Sequence, residues 1–130
     1  MLRVRSYEMD SFGHANNAVF LNYLEAGRSE FMLQAGLSFQ DFHVWHAYPV
    51  VRHAELDFRV PICAPEVIIV TGEFEALRRT GFRAHQTIRK ASTGELACVA
   101  TIDLIFTDSD RRPIAAPILF RKRILDTGDE

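Results

Sequence analysis

Asp10, Gly13, His14, Asn16 and Asn17 fall in one short run, Asp10-Ser11-Phe12-Gly13-His14-Ala15-Asn16-Asn17, directly ahead of a long helical pattern. A helix start carries backbone N–H groups without intrahelical partners and the positive end of a dipole. Such a start can hold a carbonyl oxygen as it turns negative, and an aspartate one loop away can supply or activate the attacking group. The run therefore reads as half of a hydrolytic site. Other nucleophile patterns are missing. There is no Gly-x-Ser-x-Gly and no evident Ser-His-Asp set. Cys63 and Cys98 lie in apolar, strand-like settings that suit inert core thiols. His43 and His46 share the spacing of a helical turn, but only Asp41 stands near to complete a ligand set, which argues against a metal.

The elements that must position this run follow from periodicity. From Asn17 to Ala35 the pattern is helical, with Phe20, Leu24, Phe31 and Ala35 on one face. Val19, Leu21, Tyr23, Met32 and Leu33 make much of the remaining circumference apolar, so the helix is largely buried. Asn16 is an N-cap type and Gly36 a residue for the position just past the helix. At about 1.5 Å per residue, roughly nineteen residues give a rod of about 28 Å. Gly27 interrupts it and implies close approach to another backbone. Glu25 and Arg28, three apart, read as a surface pair.

Val4–Tyr7 reads as a short extended segment and Leu37–Ala47 as a loop with room for a helical turn. From His53 the period becomes two. Ala54, Leu56 and Phe58 alternate with His53, Glu55, Asp57 and Arg59, and Pro61 ends that strand. Ile68 to Ala76, Phe82 to Ile88 and Leu96 to Phe106 alternate in the same way, joined by Arg79-Thr80-Gly81 and Ser92-Thr93-Gly94. Short turns make these three an antiparallel meander. Pro113 and Pro117 lead into a short helix, Ile118–Ile124. The class is α+β: a curled antiparallel sheet wrapped around one long central helix. On the opposite sheet face Val67, Ile69, Leu77, Val99 and Ile105 predict sheet-to-sheet or subunit contact.

Residues 1–130 read as one domain, with a core large enough to need no staples. A formal net charge of −2 argues against a nucleic-acid partner held by bulk basicity. Two cysteines without a CxxC, no apolar signal-like start and no apolar run of membrane-spanning length predict a cytoplasmic protein. Asp126–Glu130 reads as a short frayed tail.

The run Asp10-x-x-Gly13-His14-x-Asn16-Asn17, followed by Phe20-Leu21-Asn22-Tyr23-Leu24-Glu25-Ala26-Gly27-Arg28, resembles the start of hotdog-fold acyl-CoA thioesterases, specifically the 4-hydroxybenzoyl-CoA thioesterase group. Glu55-Leu56-Asp57-Phe58-Arg59-Val60-Pro61-Ile62 and Thr93-Gly94-Glu95-Leu96-Ala97 are similar to later parts of that family, so the likeness runs from about Val4 to Pro117. It implies a hotdog fold and hydrolysis of acyl-CoA to free acid and CoA. It also implies that Asp10 is the catalytic carboxylate, as nucleophile or general base, and that the Asn17 backbone N–H polarises the thioester carbonyl. His14 and the Asn17 side chain would support the loop. Some relatives carry His or Tyr where Asn17 stands, and many carry Gly-Asp near Ala64-Pro65-Glu66.

An acyl-CoA substrate would draw binding residues from several places. Asn16 stands beside the helix head, and Tyr48, Val50 and His53, in this chain or its partner, would line the acyl pocket. Arg83 and Arg89, from the basic cluster Arg78, Arg79, Arg83, Arg89 and Lys90, would meet CoA phosphates. Arg121-Lys122-Arg123 is a second basic cluster. No metal and no cofactor beyond the substrate's own CoA is implied. A homodimer is expected, assembled further into a homotetramer. An aspartate of ordinary pKa is ionised at pH 7 and a thiolate leaves readily, so an Asp-only site is chemically adequate for a thioester. Two other classes remain open. A hotdog dehydratase or hydratase would need a His–acid pair for proton abstraction. A non-catalytic acyl-CoA-binding module would hold ligand without turnover.

Overall fold

A computed structural model describes residues 1–125; the expected tail Asp126–Glu130 lies outside the described residues. The chain runs β1 (Leu2–Arg3), a 3-10 turn (Ser6–Glu8), α1 (Asn17–Gln34), α2 (Phe39–Trp45), β2 (Tyr48–Phe58), β3 (Val67–Leu77), β4 (Gly81–Lys90), β5 (Leu96–Thr107), α3 (Ile118–Phe120) and a π turn (Arg121–Leu125). The strands form one antiparallel sheet in the order β1-β3-β4-β5-β2. β3, β4 and β5 are the expected meander, and β2 closes the far edge against β5.

α1 lies on one face of this sheet. Phe20 stacks on Phe58 of β2, with ring centroids 5.0 Å apart, and Phe31 meets Phe74 of β3 at 6.2 Å. Gly27 is required by this packing. A Cβ there would stand 2.6 Å from the Val70 side chain, so the close neighbour is a β3 side chain rather than the expected backbone. The face toward α1 holds Phe82, Ala84, Ile88, Ile102 and Phe106, all fully buried. Each large side chain of this kind contributes about 1.5–3 kcal/mol by leaving water. Phe82, Phe106 and Phe120 form one aromatic cluster, which docks the C-terminal segment.

Local hydrogen bonds and strand register correct two expected elements and add detail to two others. Ser6–Glu8 is a 3-10 turn rather than extended, because the Glu8 carboxylate accepts the Arg5 N–H at 2.8 Å and closes the turn locally. The segment Leu37–Ala47, expected as a loop with room for a helical turn, carries that turn as α2, capped by Asp41, which accepts the Ser38 N–H at 2.7 Å. β2 starts at Tyr48, earlier than alternation indicates, because a bulge between Val51 and His53 breaks the period of two. The outer sheet face, whose apolar residues were expected to meet a second sheet or subunit, also carries charge. Register aligns Glu75, Arg83, Asp103 and His53 in one row across four strands, a charged grid with the apolar residues around it.

Candidate active site

The loop between the 3-10 turn and α1 is closed by its own backbone. The Asp10 N–H donates to the His14 carbonyl at 2.7 Å, and the Gly13 N–H to the Asp10 carbonyl at 3.1 Å. Gly13 has φ +79°, a left-handed conformation that glycine adopts without a Cβ penalty. The Ala15 N–H donates to Ile62 at 2.7 Å and ties the loop to the segment after β2. Within this frame one carboxylate oxygen of Asp10, Oδ1, accepts from the Phe12 N–H at 2.9 Å and the His14 N–H at 3.3 Å. Its other oxygen bonds none of the described residues. The carboxylate is thus oriented by its own loop and keeps one free edge.

The head of α1 shows a complementary vacancy. The Asn16 side chain caps the helix by accepting the Ala18 N–H at 2.9 Å, and the Asn16 carbonyl takes the Val19 N–H at 2.9 Å. The Asn17 N–H, between them, has no acceptor among the described residues. It points from the positive end of an 18-residue helix. Asp10, His14 and Asn17 all line one cleft of about 250 Å³, with Phe20, Phe58 and Arg59 around them. A second bond fastens this assembly. The buried Tyr23 hydroxyl, two turns into α1, donates to Glu8 at 3.0 Å, while the Glu8 carbonyl accepts the Asn16 N–H at 3.0 Å. Burial and the Glu8 carboxylate push the Tyr23 hydroxyl far above its ordinary pKa, so this link does not ionise near neutrality.

A larger groove of about 520 Å³ lies further along α1, between it, α2 and the start of β2. Tyr48 and Val50 line it, with the Tyr48 hydroxyl 3.3 Å from His43 Nδ1. His53 does not. The bulge before it turns His53 to the outer face, opposite Asp103 and 3.1 Å from Glu55. Arg83 is committed to a two-pronged pair with Asp103 at 2.7 and 3.1 Å on that same outer face. Arg89 donates to the Gly94 carbonyl at 3.1 Å and braces the β4–β5 turn. Neither arginine lines the Asp10 cleft or the groove. Arg123 likewise braces structure, donating to the Gly36 carbonyl at 3.0 Å. The ring of His14 bonds none of the described residues; its backbone, not its imidazole, closes the loop. Burial pushes the Cys98 thiol up to about 11, which fits an inert thiol. Among the described residues no group of His, Cys, Asp and Glu is arranged to hold a metal, and no helix is long and apolar enough to cross a membrane.

Residues 4–125 match the thioesterase-like superfamily. The chain belongs to that superfamily. It is 25% identical to the acyl-acyl carrier protein thioesterase ATL3 of Arabidopsis thaliana, over 95% of this chain and 65% of that protein. The chain thus spans just under two thirds of this plant relative. It is 26% identical to the long-chain acyl-CoA thioesterase FadM of Escherichia coli, over 82% of this chain and 80% of that one. Its backbone superposes on Slr0204, a 1,4-dihydroxy-2-naphthoyl-CoA thioesterase from Synechocystis, with a TM-score of 0.88, 18% identity, and coverage of 99% and 95%. That likeness establishes the hotdog fold.

Within this superfamily member, sequence reasoning missed two arginines. Arg59 is the one lysine or arginine lining the Asp10 cleft, held 2.6 Å from Asp57 at the end of β2. Its signal was its place two residues before Pro61, where the edge strand β2 has just ended. Arg28 is not the surface partner of Glu25. It is 7% exposed and donates to Gln86 at 3.0 Å beneath the helix. Its spacing from Leu24 and Gln86's place between Ala84 and Ile88 mark both as polar interruptions of apolar stripes.

Proposed function

We propose that this protein hydrolyses acyl thioesters to the free acid and a thiol. The observation that carries the reading is the pairing in one cleft of a free carboxylate edge on Asp10 with an unbonded N–H at Asn17. A thioester carbonyl accepting from Asn17 would gain the helix-end field as its oxygen turns negative. Asp10 then adds to the carbonyl carbon, or takes a proton from a water that adds. In both routes the C–S bond breaks and the thiolate leaves. The Asp10 route forms a mixed anhydride that a water molecule opens, returning the carboxylate.

The relatives support an acyl substrate: ATL3 is named for acyl-acyl carrier protein and FadM for long-chain acyl-CoA. The larger groove would take the apolar acyl chain, and Arg59 would meet phosphate on the carrier side. β2 is an edge strand with exposed residues from Val50 through Glu55, and such an edge is a template for pairing with a second copy. We therefore read the working unit as a homodimer joined along β2.

Thiol release from tetradecanoyl-CoA, measured with the wild type and with Asp10→Asn, tests the chemistry. The variant is expected to lose at least about a hundredfold in kcat, a barrier change of about 2.7 kcal/mol, with an unchanged melting temperature. Undiminished turnover would remove Asp10 from the mechanism, and enoyl-CoA hydration without thiol release would move the protein to the hydratase class.

A further inference from the structure

Arg28 is a buried cation whose only bonded partner among the described residues is neutral. Its Nη1 donates to Gln86 Oε1 at 3.0 Å, and the Gln86 amide is fixed in that orientation because its Nε2 donates to the Leu24 carbonyl at 3.0 Å. No carboxylate among the described residues lies within ion-pair distance of Arg28. Burial works against its ionised form, and among the described residues Glu25, exposed and lining the same groove, is the one acid whose charge favours that form. A guanidinium has five donors and stays protonated inside proteins. One neutral amide leaves most of that hydrogen-bonding capacity unused and no carboxylate in contact with the charge, a costly arrangement for a side chain this buried.

Arg28 lines the larger groove, where Glu25, Asn22 and Ser29 stand on the same helix and Met32, Phe42, Val51, Ile102 and Leu104 supply apolar walls. Its volume of about 520 Å³ falls in the range of small-molecule sites. Arg28 stands eleven residues after Asn17 on α1, about 16 Å along the helix axis at about 1.5 Å per residue.

We infer that the groove is a receptor for an alkyl chain ending in a carboxylate, with Arg28, held by Gln86, as the counter-ion for that end. The inference rests on the thioesterase reading for one of its two sources. In the first, the carboxylate is the far end of an acyl thioester, a dicarboxylic half-thioester whose reacting end lies at Asn17. In the second, it is the head of a free fatty acid, lying in the groove in the reverse sense.

Two arms separate these sources. The first measures kcat/KM for a series from octanedioyl-CoA to tetradecanedioyl-CoA against the matching monocarboxylic acyl-CoAs. The second measures calorimetric binding of tetradecanoate against tetradecanol and needs no turnover. A charge-assisted bond predicts a preference of at least about tenfold for the carboxylate-bearing member in one arm. Arg28→Met should flatten that ratio to near one. Gln86→Glu, which gives Arg28 a counter-ion from within the chain, should do the same while leaving the arginine in place. A preference in the first arm assigns the carboxylate to the substrate, and a preference confined to the second assigns it to a free fatty acid. Wild-type protein that cleaves none of the thioesters yet binds tetradecanoate preferentially refutes the hydrolase reading and keeps this one. Equal handling of both members in both arms by the wild type overturns it, as does a preference that survives both substitutions. Should Arg28→Met fail to fold, the wild-type ratios and Gln86→Glu still decide. Loss of the dimer in Arg28→Met, with no carboxylate preference in the wild type, would assign the counter-ion to a second copy and likewise overturn the inference.

Discussion

Arg28 and Arg83 meet the same sheet from opposite faces and treat their charge in opposite ways. Arg83 lies on the outer face, where both prongs of its guanidinium meet Asp103. Hydrogen bonding and charge from Asp103 raise its pKa and lower that of Asp103. Arg28 lies under α1, where burial lowers its pKa and its bonded partner is an amide. The outer face is matched within itself: His85 has Glu75 at 2.9 Å and His53 has Glu55 at 3.1 Å. The helix face and its margin keep their mismatches, namely Arg28, the Asn17 N–H and one edge of Asp10. Natural chains leave local rules unsatisfied where function needs it. The side of the sheet with unmatched groups is therefore the side expected to meet ligand.

The sharpest way to break this comparison is to truncate neighbouring residues that point to opposite faces of β5. Phe106 is fully buried in the aromatic cluster with Phe82 and Phe120. Phe106→Ala is expected to destabilise by about 3–5 kcal/mol in urea unfolding. Ile105, half-buried on the outer face, has less contact to lose, and Ile105→Ala should cost less than half as much. Equal losses would mean that the outer face is itself a packed interface in the assembled protein.

A smaller effect tests whether the margin of the helix face is rigid by design. Tyr23→Phe removes the donor to Glu8 but leaves Glu8 bonded to the Arg5 N–H. The expected loss is about 1 kcal/mol of stability, with kcat falling several-fold because the Asp10 loop is less firmly tied to α1. Reduced stability with unchanged kcat would separate the link from the active loop.

How much of this was legible in the sequence divides along the same line. Local chemistry was readable: Asn16 caps α1, Gly36 follows it with φ +81°, and the alternation of β3, β4 and β5 places their inward residues correctly. The grouping of Asp10, His14 and Asn17 was readable because one loop carries all three. What failed needed information from outside the segment. The β2 bulge reverses the side on which His53 emerges, and no composition marks it. Arg83 and Arg89 look available as a cluster, yet their partners, Asp103 and the Gly94 carbonyl, are set by strand register and turn geometry. Arg28 and Gln86 interrupt two apolar stripes 58 positions apart, and only folding shows that the interruptions meet.

The smallest effect expected is on the outer face, where the matched Arg83–Asp103 pair is only part-buried. The Asp103 carboxyl titrates below its ordinary value because Arg83 donates to it and offsets the partial burial that works the other way. A carboxyl with a folded pKa below its unfolded pKa binds fewer protons when folded, so its contribution favours the folded state once both states are ionised. That contribution is complete above the unfolded value, about pH 3.9, and disappears as pH falls through the lower folded value. Asp103→Asn should therefore lower the melting temperature slightly at pH 7, and the difference from wild type should shrink as pH falls below about 3.9. Added salt should shrink the difference at pH 7, because a pair with one partner still reached by solvent is partly screened. A loss at pH 7 as large as that of Phe106→Ala, insensitive to salt, would show the pair to be desolvated in the working assembly. The outer face would then be an interface, and its matched charges would no longer distinguish it from the ligand-facing side.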